Sequence, residues 1–391
     1  MQRRARISAK AQRFTESVIR EMSRVCAREQ GLNLAQGFPD FAAPQPMKDA
    51  GCRAIQADVN QYAVTWGAPR LRAAIAARSS AYNRIPTDAD AHVTVCCGAT
   101  EAMLAVLLAV LDPGDEVVIF EPFYENYGPD CILSGATPRM VRLHSPDWSF
   151  DPDELRAAFG PKTRAIIVNT PHNPTGKVFS RAELESIAAL CREHDVLAIT
   201  DEIYEYILYD GAEHVSLATL PDMAQRGITI SGLSKTWSAT GWRIGWCVAP
   251  PEITSAIRKV HDFLTVGAPA PLQEAAADAL AFPQSYFDEL ARGYRERRDT
   301  LTRVLREVGF GVSNPRGAYY VMTDISALTE LDDVAFAMQL VRDGGVATVP
   351  GSSFFLDPRD GRRSVRFCFA KKLETLERAA RVLRERLGVR S

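Results

Sequence analysis

The chain has 391 residues, of which 46% are hydrophobic and 24% charged, enough to bury more than one core and too apolar for a disordered segment. Its 46 Lys and Arg nearly balance 48 Asp and Glu, and the formal net charge of -2 excludes a strongly basic nucleic-acid surface or an anionic-membrane surface. Small-molecule chemistry is the class that remains, in one large domain and a smaller one. The eight cysteines (26, 52, 96, 97, 131, 191, 247 and 368) include no CxxC pair, and several lie in apolar runs such as VTVCCG and IGWCVAP, so they read as reduced core residues. The N-terminal MQRRARISAKAQRF is basic without an apolar stretch, which is not the pattern of a secretory signal, and no apolar run approaches the roughly 18 residues of a membrane span. A cytoplasmic protein is the expectation.

In chain order, Phe14, Val18, Met22 and Val25 predict a helix within 13–30 that ends before Gly31. NLAQGFPDFAAPQP follows, too rich in Gly and Pro for regular structure over much of its length. Helical periodicity returns at 46–58 and 68–83, around NQYAVTWG. From His92 the rhythm is VTVCCG as strand, TEAMLAVLLAVL as helix and DEVVIFE as strand, with AIIVNT, LAITDE, ITISGL and GWCVAP as later strands. Strands alternating with helices predict a mainly parallel sheet covered on both faces. Beyond Pro251 the pattern changes to a helix at 252–263, the break VGAPAP, and one helical stretch from 271 to about 308. GAYYVMTDI and SVRFCFA read as strands, and 332–343 and 373–387 as helices, so the last third forms a small α+β unit with its hinge near 280. No internal repeat or low-complexity segment is present.

The chemistry gathers where these strands end, since parallel α/β sheets bind ligands beyond the carboxyl ends of their strands. ISGLSKTWSATGWRIGW carries Lys235 on a loop between two apolar strands, flanked by Leu233, Trp237 and Trp242. Desolvation there favours the neutral amine that a Schiff-base lysine needs, although a loop lysine is also ordinary surface charge. Arg243, before the next strand, suits a phosphate. Gly98 turns VTVCC into a helix whose first amides, at Ala99 and Thr100, can cradle a dianion, or mark a plain strand-to-helix turn. Tyr124 in FEPFYENY offers a flat ring for stacking on a heteroaromatic ligand, or a core aromatic. Asn173, in NTPHNPTG, can donate to a ring oxygen or cap its own turn. Asp201, at the end of AITD, either caps a helix or needs a cation such as a protonated pyridine nitrogen, and Tyr204 follows three residues on.

QGFPDF, NQY…G…LR, GATEA, EPFY, NTPHNPTG, TDEIYE, SGLSKTWSATGWRIGW and VRFCFAKK stand in the order seen in class I/II pyridoxal-phosphate aminotransferases of fold type I. The chain resembles that family over nearly its whole length, and within it the branch of kynurenine, glutamine and methionine aminotransferases. The resemblance implies an α/β fold with a mainly parallel seven-stranded sheet in a large domain, 46–280, and a smaller α+β domain built from 1–45 and 281–391. It implies pyridoxal 5'-phosphate held as an internal aldimine on Lys235, with Asp201 on the pyridine nitrogen, Asn173 and Tyr204 on the phenolic oxygen and Tyr124 on the ring face. The phosphate would meet Ala99, Thr100, Arg243 and Tyr62 from a neighbouring subunit, hence a homodimer with shared sites. Arg366 would grip the substrate α-carboxylate, with Gly37 and Asn173 completing that pocket.

Many relatives carry a hydroxyl residue three positions before the lysine, where this chain has Gly232, so Ser231 or Ser234 would substitute. Gly267 falls where some relatives place a larger side chain near substrate. The implied reaction transfers an amino group between an L-amino acid, large apolar, aromatic or sulfur-containing, and a 2-oxo acid. Succinyl-diaminopimelate transamination and β-lyase action on cysteine conjugates are the alternatives on the same scaffold. A non-catalytic sensing module, like the aminotransferase-like half of some transcription regulators, is disfavoured because Lys235 and Asp201 are intact and little chain precedes the fold for a DNA-binding motif.

Overall fold

The computed structural model describes residues 6–388, so 1–5 of the basic N-terminal stretch and 389–391 of the expected smaller unit lie outside the described residues. The helices are α1 Val18–Arg28, α2 Gln45–Gln56, α3 Pro69–Arg78, α4 Ala99–Val110, α5 Tyr127–Ser134, α6 Pro152–Ala157, α7 Arg181–Glu193, α8 Pro251–Thr265, α9 Ala270–Leu280, α10 Gln284–Glu307, α11 Asp333–Gly344 and α12 Leu373–Leu387. The strands are β1 Leu32–Asn33, β2 Val93–Cys96, β3 Glu116–Glu121, β4 Thr137–His144, β5 Ser149–Phe150, β6 Thr163–Asn169, β7 Leu197–Asp201, β8 Gly227–Gly232, β9 Gly245–Val248, β10 Gly311–Val312, β11 Tyr320–Asp324, β12 Val346–Ala347, β13 Val349–Pro350 and β14 Ser364–Cys368.

The large sheet runs β2-β9-β8-β7-β6-β3-β4-β5. Seven strands make its body, and β5 adds a two-residue antiparallel edge. Pairings among β4, β3, β6, β7 and β8 are parallel, whereas β9 runs against both β8 and β2. The carboxyl ends of β2, β3, β6, β7 and β8 therefore share one edge. Strands β6 and β8 are apolar and buried almost throughout because helices cover both faces of the sheet. On one face α4 and α8 pack Met103, Val106, Leu107 and Ile257 against Ile119, Ile167 and Ile228. On the other, Leu184, Ile187 and Cys191 of α7 cover Val118, Ile166 and Val168. Burying side chains of this size stabilises by about 1.5 to 3 kcal/mol each.

The second sheet, β10-β11-β14-β13, is antiparallel. Beside it, β1 pairs in parallel with β12, which joins the N-terminal segment to the C-terminal third. Two sequence expectations change. The single helical stretch from 271 to about 308 is two helices, because Pro283 has no N–H to continue α9 and instead precedes the first turn of α10. Strand β4 was not among the sequence strands. In its TPRMVRLH only Val141 and Leu143 are buried, and the two arginines, the threonine and the histidine give it a polar composition beside the sheet edge.

Candidate active site

Lys235 stands on a loop whose base is closed by the pairing of Gly232 with Gly245. Leu233 and Trp237 on either side are buried, but Trp237 packs away from the amine, against Tyr206 and Phe287. The walls around the amine are the rings of Tyr204 and Tyr319, 5.8 and 5.7 Å from Nζ. Nζ donates to the Gly37 carbonyl at 3.1 Å, which also accepts from Tyr319 at 2.9 Å. Desolvation lowers the ammonium pKa to about 8, against the opposing pull of Cys368 and Asp201.

Asp201 ends β7 beside Asn169, its register partner at the end of β6. Its carboxylate accepts from the Tyr127 hydroxyl at 2.7 Å and from the Ile203 N–H at 3.3 Å, in a turn and not at a helix N-cap. Burial pushes its pKa up, and the Tyr127 and Ile203 hydrogen bonds and the Lys235 charge hold it back. Asn169 ties the two strand ends together: its amide donates to the Asp201 carbonyl at 2.8 Å, and its oxygen accepts from the Asn173 N–H at 2.7 Å. Asn173 in turn accepts from Arg366 at 2.8 Å, while the other terminal nitrogen of Arg366 donates to the Ala35 carbonyl at 2.7 Å. The arginine is fully buried on β14, so one guanidinium links the small sheet, the large sheet and the N-terminal segment. The Tyr204 hydroxyl lies 3.1 Å from that of Tyr320.

At the other end, α4 begins at Ala99 with no side-chain cap on Gly98, which leaves first-turn N–H groups free. Gly98 has φ +86, and a Cβ there would strike the Arg243 guanidinium. Arg243 is itself held by the Thr240 carbonyl at 3.0 Å. A Cβ added to Gly232 would lie 3.0 Å from the Ile244 carbonyl oxygen and 3.1 Å from Ile203, so a side chain there fits only if these neighbours give by a few tenths of an ångström. Ser231 turns away to Glu205 at 2.7 Å, whereas Ser234 faces the same space as Arg243.

One cavity of about 410 Å³ collects these groups. It is lined by Gly37, Ala99, Thr100, Tyr124, Asn173, Asp201, Tyr204, Lys235, Arg243 and Arg366, ten of the eleven residues read from the sequence. The eleventh, Tyr62, is 86% exposed and outside it. Gly267 also lies outside, against Thr65. Sequence reasoning missed Tyr127, Tyr320, Asn169 and Asp130. Tyr127 opens α5, whereas Tyr124 lies in the loop before it, so no helical spacing marked the pair in the sequence.

The family model described as aminotransferase class I and II matches residues 29–383. The chain belongs to the class I and II aminotransferases. It is similar to the methionine aminotransferase of Escherichia coli, 37% identical over 369 residues that cover 94% of this chain and 95% of that one. It is 36% identical to human kynurenine–oxoglutarate transaminase 1 over 398 residues, 93% of this chain and 94% of that one. The solved N-succinyldiaminopimelate aminotransferase of Mycobacterium tuberculosis superposes with a TM-score of 0.94 at 39% identity, over 97% of this chain and 99% of that one. This aminotransferase is therefore a pyridoxal-phosphate enzyme of fold type I. Its residues fit that cofactor. A lysine with a lowered pKa, a buried carboxylate and a glycine cradle facing an arginine are what an aldehyde, a pyridine nitrogen and a phosphate require.

Proposed function

We propose that this aminotransferase transfers the amino group of large apolar, aromatic or sulfur-containing L-amino acids to a 2-oxo acid, with Lys235 as the residue that moves the proton. The observation that carries the reading is Lys235 itself, an amine with its pKa near 8 beside two tyrosine rings, in a cavity that also holds Asp201 and Arg366. Bound there, pyridoxal phosphate supplies an aldehyde carbon for amines and a ring that accepts the electron pair of a broken Cα–H bond. Asp201 gives the ring nitrogen its negative partner. Asn173 and Tyr204 serve the phenolic oxygen, and Tyr124 packs on the ring. Ala99 and Thr100 N–H groups, Arg243 and Ser234 hold the phosphate. Arg366, Asn173 and Gly37 hold the substrate carboxylate, which sets the Cα–H bond within reach of the Lys235 amine, and that amine takes the proton from Cα.

We propose further that the chain divides into a large domain, 46–280, and a small one, 1–45 with 281–391. The pairing of β1 with β12 supports this. A homodimer is proposed on the exposed apolar group Tyr62, Val64, Phe263, Leu264 and Val266, with Tyr62 reaching the partner's phosphate site. A cytoplasmic location is proposed on the eight free cysteines, mostly buried. Among the described residues no helix is long and apolar enough to cross a membrane.

The test is a donor screen on the purified protein, following new amino acid, pyruvate and ammonia by mass spectrometry. Methionine and aromatic donors should give the amino acid of the 2-oxo acid supplied. Transfer only from succinyl-diaminopimelate would replace the substrate reading. Pyruvate and ammonia from a cysteine conjugate, with no transfer from any donor, would make the protein a lyase.

A further inference from the structure

Asp130 lines the active cavity from α5, one turn after Tyr127, and positions three apart share a helix face. It is only 5% exposed, yet among the described residues its Oδ2 is buried without a hydrogen-bond partner. Burial alone raises its pKa, to about 7, with no cation or donor opposing the rise. Asp201 differs, because Tyr127, the Ile203 N–H and Lys235 all support its charge. A buried carboxylate oxygen without a partner costs stability, and one that lines a ligand cavity has the cavity's occupant as its candidate partner. The negative field of Asp130 acts on the hydroxyls of Tyr124 and Tyr127, and the Tyr127 hydroxyl is bonded to Asp201. Asp130 thus lines the same cavity as Tyr124 and Tyr127, and the Tyr127 hydroxyl is the hydrogen-bonded link from its neighbourhood to Asp201.

We propose that Asp130 is a positioning residue for the cofactor, a second acidic group that acts across Tyr127 and Asp201 to favour the protonated pyridine nitrogen. The inference rests on the pyridoxal-phosphate reading of the cavity. It separates charge from shape, since a cofactor analogue with C–H in place of the ring nitrogen fills the same space and carries no cation there.

The experiment strips the full-length protein of cofactor and titrates it at pH 8, where the Asp130 carboxyl is ionised, with pyridoxal phosphate and with that analogue. Wild type, Asp130→Asn and Asp130→Leu are compared by absorbance. Both variants should bind pyridoxal phosphate roughly tenfold more weakly and the analogue within about twofold of wild type. Both should melt at or above the wild-type temperature, because each removes a desolvated carboxyl, and Leu suits a dry site should Asn fold poorly. Equal losses for the two ligands, no loss for either, or a lowered melting temperature in both variants would overturn the proposal. Wild type that binds neither ligand would overturn the cavity reading itself, and the proposal with it.

Discussion

Arg366 has five N–H donors, and the protein takes one from each terminal nitrogen, for Asn173 and for Ala35. The remaining pair of terminal N–H groups and the Nε–H, which has no partner, are what a carboxylate needs for a two-pronged grip. Arg366→Lys keeps the charge and loses the fork. We expect a loss of roughly 1.5 to 3 kcal/mol in apparent affinity for every amino donor alike, and unchanged KM values across the donor series would move the carboxylate site elsewhere. Lys235 gives a second prediction, in pH. Its amine is protonated below about 8, so the rate at which the cofactor-free protein forms a borohydride-reducible link to pyridoxal should rise with pH up to 8 and level off above it. An ordinary lysine would keep gaining reactivity towards pH 10. The linkage sign follows: between about 8 and 10.5 the unfolded chain binds more protons than the folded one, so the stability of the cofactor-free protein rises with pH there. Lys235→Ala should abolish the reducible link. Both residues were legible because each interrupts an apolar strand context with a charge that needs a partner. Tyr320 and Asn169 were not, since each looks like an ordinary strand residue until the second sheet or the neighbouring strand is in place.

At the scale of elements, the site depends on how strands hand over to loops and helices. Gly98 is the clearest case, with φ in the left-handed region and a Cβ that would collide with Arg243. Gly98→Ala should weaken cofactor binding by about tenfold or more and cost on the order of 1 kcal/mol of stability, measured by titration and by melting. Gly160→Ala, where no atom lies within 4 Å of the added carbon, is the control and should change neither. The strand ends of VTVCCG, AIIVNT, LAITDE and ITISGL were readable in the sequence because strands buried on both faces are mostly apolar runs. Strand β4, next to the two-residue edge strand β5, was not, because most of its side chains are exposed or half-buried and polar ones interrupt the run. The split of α9 from α10 turned on Pro283, a local signal overridden by the helical periodicity on both sides.

For the molecule as a whole, the unexplained surface is the apolar group that ends α8. Phe263 is 92% exposed, Leu264 and Val266 are exposed beside it, and Tyr62 and Val64 lie on the adjacent loop, which His261 holds through the Thr65 carbonyl at 2.9 Å. An exposed cluster of this kind on one chain marks an interface. A second copy is its proposed occupant, and under that proposal Tyr62 would make the copy part of the chemistry, since in its own chain the residue lies outside the cavity. Two substitutions separate assembly from contact. Phe263→Glu places a charge in the buried patch, so the protein should sediment as a monomer and lose cofactor affinity by about tenfold or more, since each site then lacks its partner tyrosine. Tyr62→Phe keeps the apolar ring, so the dimer should persist while cofactor affinity falls by about the value of one hydrogen bond to a charged group, roughly 1.5 to 3 kcal/mol. Sedimentation and cofactor titration on the two variants decide it. A wild type that sediments as a monomer at micromolar concentration with full cofactor affinity would remove the shared site.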